Sequence, residues 1–137
     1  MSTALPTDPI ADDDILIRRV PPGEAWQKPG PVPTSVNVEL RPGETCLSAS
    51  RVAITSPKAL LDQTGARREQ GWLVIRAKVA DLRAFGLHVV SKPTDLDPGH
   101  VEIEPGGVEL SRRSVRRALI KLFNVVPPDE PENPVGS

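Results

Sequence analysis

Proline and glycine punctuate this chain so closely that no long helix or strand fits between them. Sixteen prolines and ten glycines are spread over 137 residues, and most apolar runs stop at one of them. Ile15 to Val20 is a β-branched run halted by Pro21-Pro22-Gly23, which cannot continue a ladder, and it reads as a first strand. From Thr34 to Leu40, Val36, Val38 and Leu40 alternate with Ser35, Asn37 and Glu39, the period of a half-buried strand, ended by Arg41-Pro42-Gly43. Thr45 to Ser50 allows a shorter strand around Leu47. Ser56-Pro57 pairs a capping hydroxyl with a proline at the first helical position, which predicts a helix from 57 to about 63, ended near Gly65.

Gly71 to Ala77 is the most hydrophobic run and predicts a central strand. Val79, Leu82, Ala84 and Phe85 then fit one or two helical turns closed by Gly86, and Leu87 to Val90 returns as a strand. His100 to Glu104 alternates between turn-forming sequences and predicts another strand. Ser111 is placed to cap a last helix running to about Phe123, with Val115, Ala118, Leu119, Leu122 and Phe123 on one face. This order predicts an α+β domain spanning residues 14–126, with a mixed sheet of five to six short strands and two or three helices. Residues 1–13 and 127–137 are acidic and proline-bearing and read as disordered tails. The proline-rich stretch between Pro21 and Pro33 reads as a surface excursion anchored by Trp26.

Charge is unevenly distributed. The whole chain has a formal net charge of −1, yet all seventeen Lys and Arg lie within residues 15–127, alongside eleven of the eighteen acids, so that stretch is net +6. The acidic ends read either as solubilising tails or as a shield for a basic surface that takes an acidic partner. The last helix concentrates the charge: Arg112, Arg113, Arg116, Arg117 and Lys121 occupy the side away from its apolar stripe. Cations in a first turn oppose the helix dipole, so Arg112 and Arg113 sit where helix stability alone would not place them. The face reads either as a solvated surface or as a docking site for an acidic protein, a nucleoprotein or nucleic acid. Aromatics are 3% of the chain, Trp26, Trp72, Phe85 and Phe123 with no Tyr, too few to furnish a stacking platform for single-stranded nucleic acid.

Catalytic signatures are sparse. His100, Glu102 and Glu104 share one side of a strand by alternation, which permits a histidine–carboxylate pair serving as general base; the alternative is a histidine bonded to the preceding turn. Arg18 and Arg19 at the end of the first strand, with Ser35 and Asn37 in the next, would meet a phosphate or carboxylate if the strands are neighbours. Such an arrangement suggests a small nucleotide- or NAD-using enzyme with an ADP-ribosyltransferase-like fold, with His100, Glu102 and Arg19 as its catalytic candidates. Phosphate-binding and serine-hydrolase loops are missing, as are helical metal motifs, so no cofactor or metal is expected. His88 reads as a packing or edge residue. The single Cys46 has no partner for a disulfide and reads as structural, in keeping with a reducing, cytoplasmic compartment. No apolar run is long enough to span a membrane.

Leu16-Ile17-Arg18-Arg19-Val20-Pro21-Pro22 resembles the L-x-R-R-I/V-P-P strand of a loosely defined group of small bacterial proteins, many of them actinobacterial. The resemblance continues through Ala80-Asp81-Leu82-Arg83-Ala84-Phe85-Gly86-Leu87-His88-Val89 and Asp97-Pro98-Gly99-His100-Val101-Glu102-Ile103, covering residues 12–123. It departs around the histidine, where Gly99, Val101 and Glu102 replace the group's small residues. The resemblance implies a shared fold. Members of the group look like accessory components of multi-gene systems, which is an analogy and carries no function over. The small size, the missing catalytic signatures, the proline-rich excursion, the basic helix and the acidic tails together read as a non-enzymatic interaction module, an accessory or adaptor subunit of a bacterial multi-protein or nucleoprotein system, defence systems included.

Overall fold

The computed structural model describes residues 9–23 and 32–127. The excursion around Trp26 and the tail from residue 128 lie outside the described residues. Among the described residues six strands form one sheet: β1 (Ile15–Val20), β2 (Leu47–Arg51), β3 (Leu73–Lys78), β4 (His88–Ser91), β5 (His100–Glu104) and β6 (Asn124–Val125), in the order β4-β5-β2-β1-β3-β6. Three helices accompany them: α1 (Pro57–Asp62), α2 (Val79–Phe85) and α3 (Arg113–Ile120). The α+β class expected from the sequence is what the chain adopts. All five strand pairings are antiparallel, so the sheet is not mixed.

Two apolar clusters sandwich the sheet. Leu16 and Val20 of β1, Leu47 and Ala49 of β2, Ile75 and Ala77 of β3, and Val101 and Ile103 of β5 face α2 and α3, where Val79, Leu82, Leu119 and Ile120 cover them. On the other face, Ile17 and Val74 pack beneath Leu60 and Leu61 of α1. Alternation along each strand accounts for both sets. Because α1 is only six residues long, it covers the β1–β3 side of its face and leaves the β2–β5 side open.

The expected strand over Thr34–Leu40 is instead a 3-10 turn at Ser35–Val38. Asn37 decides it: its side-chain oxygen accepts from the Thr34 backbone N–H at 2.8 Å, and its own N–H donates to the Thr34 carbonyl at 2.9 Å. A residue that bonds its local backbone this way competes with a ladder. The turn drops Val38 into the core and leaves Val36 44% exposed. Ser111 does not cap α3; the cap position belongs to Arg112, without a side-chain bond. Leu110 and Arg112 donate to the carbonyls of Val108 and Glu109, and Ser111 is caught inside the turn they make. At the far end, Leu122 and Phe123 close the helix with tight i to i−3 bonds, and the chain then pairs with β3 as β6.

Residues 9–13, assigned by composition to the acidic tail, run against the start of α2, which has no side-chain cap at Lys78. The Asp14 and Asp12 carbonyls accept the Val79 and Ala80 N–H groups, both at 2.9 Å, satisfying orphan amides of the helix start. Arg83 reaches back to the Asp12 carboxylate at 2.6 Å and the Ile10 carbonyl at 2.9 Å. Arg51 donates to the Asp14 carboxylate at 3.1 Å; their side chains are 4% and 17% exposed. Removing one partner of such a pair strands the other charge. Arg51→Ala is expected to lower unfolding free energy in urea by about 3 kcal/mol. Lys58→Ala, which breaks the exposed pair with Asp62, is expected to cost under about 0.5 kcal/mol.

Candidate functional site

The open half of the sheet is polar, and its floor follows from strand register. Ile17 pairs with Ser50, and Ser50 pairs with His100, so a row runs from the α1-covered cluster to the imidazole. Arg19 and Ser48 lie one step along the same face. A cleft of about 210 Å³ opens here, with Arg19, Ser48, Ser50, Gln63, Asp97 and His100 among its walls. Leu60 closes it on the α1 side and Leu96 on the other.

Asp97 holds this cleft together. Its carboxylate accepts from Ser50 Oγ, from Thr55 Oγ1 at 2.5 Å and from the Gly99 N–H at 3.2 Å. Its backbone closes the loop, with N–H donating to Thr94 Oγ1 at 2.9 Å and the carbonyl accepting from the Thr94 and His100 N–H groups. Gly99 must be glycine for a packing reason: a Cβ there would lie 2.6 Å from Thr55 Oγ1 and 3.2 Å from the Arg51 carbonyl oxygen. The His100 Nδ1 lies 3.8 Å from Asp97 Oδ2, so the carboxylate nearest the imidazole is Asp97, not Glu102. Asp97 was not among the sequence candidates; its place in a turn-forming run, three residues before a histidine, was the signal available.

Glu102 is engaged elsewhere. Cys46 donates its thiol to Glu102 Oε2 at 2.8 Å. Partial burial, reinforced by the hydrogen bond and charge of Glu102, pushes the Cys46 thiol up to about 11. It is therefore a protonated, unreactive thiol at neutral pH.

Arg18 and Arg19 take different partners, because successive residues of β1 point to opposite faces. Arg18 turns toward the α3 side, donating to the Ser48 carbonyl and to the Asn37 carbonyl at 2.9 Å. Asn37 thus meets Arg18 through its backbone, and Ser35 lies on the 3-10 turn rather than in a neighbouring strand. Arg19 enters the cleft, where Nη1 donates to the Leu60 carbonyl at 2.8 Å and to Gln63 Oε1 at 3.2 Å. Burial pulls its guanidinium below its ordinary value, while the charge of Asp97 works in the opposite direction. Of the catalytic candidates, the structure brings Arg19 and His100 to one cleft and leaves Glu102 outside its lining.

The basic helix lies across the sheet from this cleft. Arg112 approaches Glu109 at 3.6 Å on the surface, and half-buried Arg116 donates to the Leu110 carbonyl at 2.8 Å. Arg113, Arg117 and Lys121 are exposed and have no ion-pair partner among the described residues. Beside them, Phe85 of α2, Val108, and Val115 and Ala118 of α3 line an open groove of about 440 Å³. His88 sits exposed on edge strand β4. Among the described residues no group of three or more His, Cys, Asp or Glu is placed to hold a metal ion, and no helix is long and apolar enough to cross a membrane. No family model, curated protein or solved structure matches the chain.

Asp97→Ala is expected to cost about 3 kcal/mol in denaturant unfolding, since it strands two buried hydroxyls and an amide; Asp97→Asn, which keeps one acceptor, is expected to cost less. Cys46, the single thiol, is expected to alkylate with iodoacetamide more slowly than a free thiol at pH 8, its rate rising toward a midpoint near 11. Glu102→Gln removes the charge that opposes the thiolate and is expected to speed the reaction at pH 8.

Proposed function

We propose that the protein is a non-enzymatic interaction module, an accessory or adaptor subunit that docks an acidic protein partner through α3. The observation that carries this reading is the contrast between its cations. Arg18, Arg51, Arg68, Arg83 and Arg116 are all bonded to carbonyls and carboxylates of the same chain. Arg113, Arg117 and Lys121 repeat at i, i+4 and i+8, forming an unpaired ridge about 12 Å long.

The adjoining groove favours protein over nucleic acid as the partner. Phe85, Val108, Val115 and Ala118 offer an apolar recess next to the positive ridge, which suits an amphipathic segment carrying apolar anchors and acids on neighbouring faces. A phosphate backbone would use the ridge and leave the recess empty.

A fluorescent amphipathic peptide with Leu and Glu at helical spacing, measured by anisotropy, tests the reading. Arg117→Glu with Lys121→Glu is expected to weaken binding about tenfold, and Ala118→Glu, which fills the groove with charge, by a similar factor. Unchanged affinity in both variants overturns the proposal. Tighter binding to a short DNA duplex, with log K falling about three units per tenfold rise in salt, replaces it with nucleic-acid binding.

A further inference from the structure

We propose that the cleft on the opposite face of the sheet is a second binding site, one that takes the carboxylate of a small aliphatic group. Arg19 supplies the charge. Its Nη1 is held by the Leu60 carbonyl and Gln63, while Nη2 and Nε have no partner among the described residues, so the guanidinium is oriented yet keeps donors in reserve. Ser48 Oγ, two residues along β2 from Ser50, also has no partner among them. With Nδ1 turned toward Asp97, the His100 ring keeps Nε2 for the cleft. Two donor groups held by separate strands, the Arg19 guanidinium and the Ser48 hydroxyl, therefore face one small volume beside the His100 ring, the arrangement that recognises an oxyanion.

The charge balance selects carboxylate over phosphate. Asp97 forms one wall, with both oxygens committed to Ser50, Thr55 and the Gly99 amide. Its negative charge offsets much of Arg19, so a phosphate dianion meets more repulsion here than a single carboxylate held by directed hydrogen bonds. Glu102, beyond Ser48 on the same face, is engaged by Cys46 and adds to the same discrimination. The walls also require an aliphatic body. Leu96 is 68% exposed, the most exposed large hydrophobic residue described, and lies at the cleft with Leu60 opposite. An alkyl chain between them removes apolar surface from water at roughly 25 cal/mol per Å². Free aliphatic acids and the C-terminus of a partner chain ending in an aliphatic residue share this chemistry.

NMR titration of the full-length chain tests the site, reading the Arg19 Nε–H and His100 ring signals. Butyrate is expected to shift both saturably, while butyramide, its neutral counterpart, and inorganic phosphate bind at least about tenfold more weakly. Arg19→Gln is expected to abolish saturation. Ser48→Ala, at an exposed position that does not threaten folding, is expected to weaken butyrate about threefold. A short peptide ending in Leu, compared with its C-terminal amide, separates the sources: a free-acid peptide binding well above butyrate identifies a chain terminus, and equal binding identifies a free acid. The α3 reversals are expected to leave butyrate binding unchanged, so the two sites fail independently. Absence of saturable shifts with both butyrate and the free-acid peptide, equal affinity for butyramide or phosphate, or full binding by both Arg19→Gln and Ser48→Ala overturns the proposal.

Discussion

A strand buried on both faces must send consecutive side chains to opposite sides of its sheet, and β1 imposes this on everything around it. Leu16 and Val20 go to the α2–α3 layer while Ile17 goes beneath α1, all within 1% of complete burial. The two arginines that follow in the same alternation are divided in the same way. Arg18 becomes a brace beneath the 3-10 turn, and Arg19 becomes the charged wall of a cleft. Each arginine therefore takes its own set of backbone partners.

The elements set by local chemistry were legible in the sequence. β1 follows its apolar run residue for residue, α1 starts at its Ser-Pro cap, and α2 stops at Gly86, whose φ of 109° explains the choice of glycine. The failures occurred where a specific backbone partner, local or distant, outweighed periodicity. Val36, Val38 and Leu40 have strand spacing, but Asn37 satisfies the backbone locally and Pro33 and Pro42 leave little length for a ladder. β6 is two residues long and exists because β3 offers an edge, a reason no local pattern contains.

The site was less legible than the fold for a related reason. Alternation correctly put His100 and Glu102 on one face, but sharing a face does not decide which carboxylate meets an imidazole. Glu102 faces Cys46 across the strand pair, whereas Asp97 returns through a turn whose geometry depends on Thr94, Thr55 and a glycine. The basic helix was legible as five charges but not as three. The turn before the helix decides this: Arg116 is drawn to the Leu110 carbonyl and Arg112 toward Glu109, leaving a ridge of Arg113, Arg117 and Lys121.

The two surfaces are separated by the sheet itself, and that placement bears on what a small domain of this kind can do. α3 packs on Leu16 and Ile75 from one side, while Arg19 and His100 open to solvent on the other. Strands of the core shift little when either face is occupied, because close-packed interiors resist small displacements. If both proposed surfaces are used, occupancy of one leaves the other available, and the domain would hold two partners at once rather than exchange them. The first surface relies on exposed charge and loses strength as salt rises. The second relies on partly buried donors and is far less sensitive to salt. An adaptor with these properties would release its acidic partner first as ionic strength increases while keeping its carboxylate ligand.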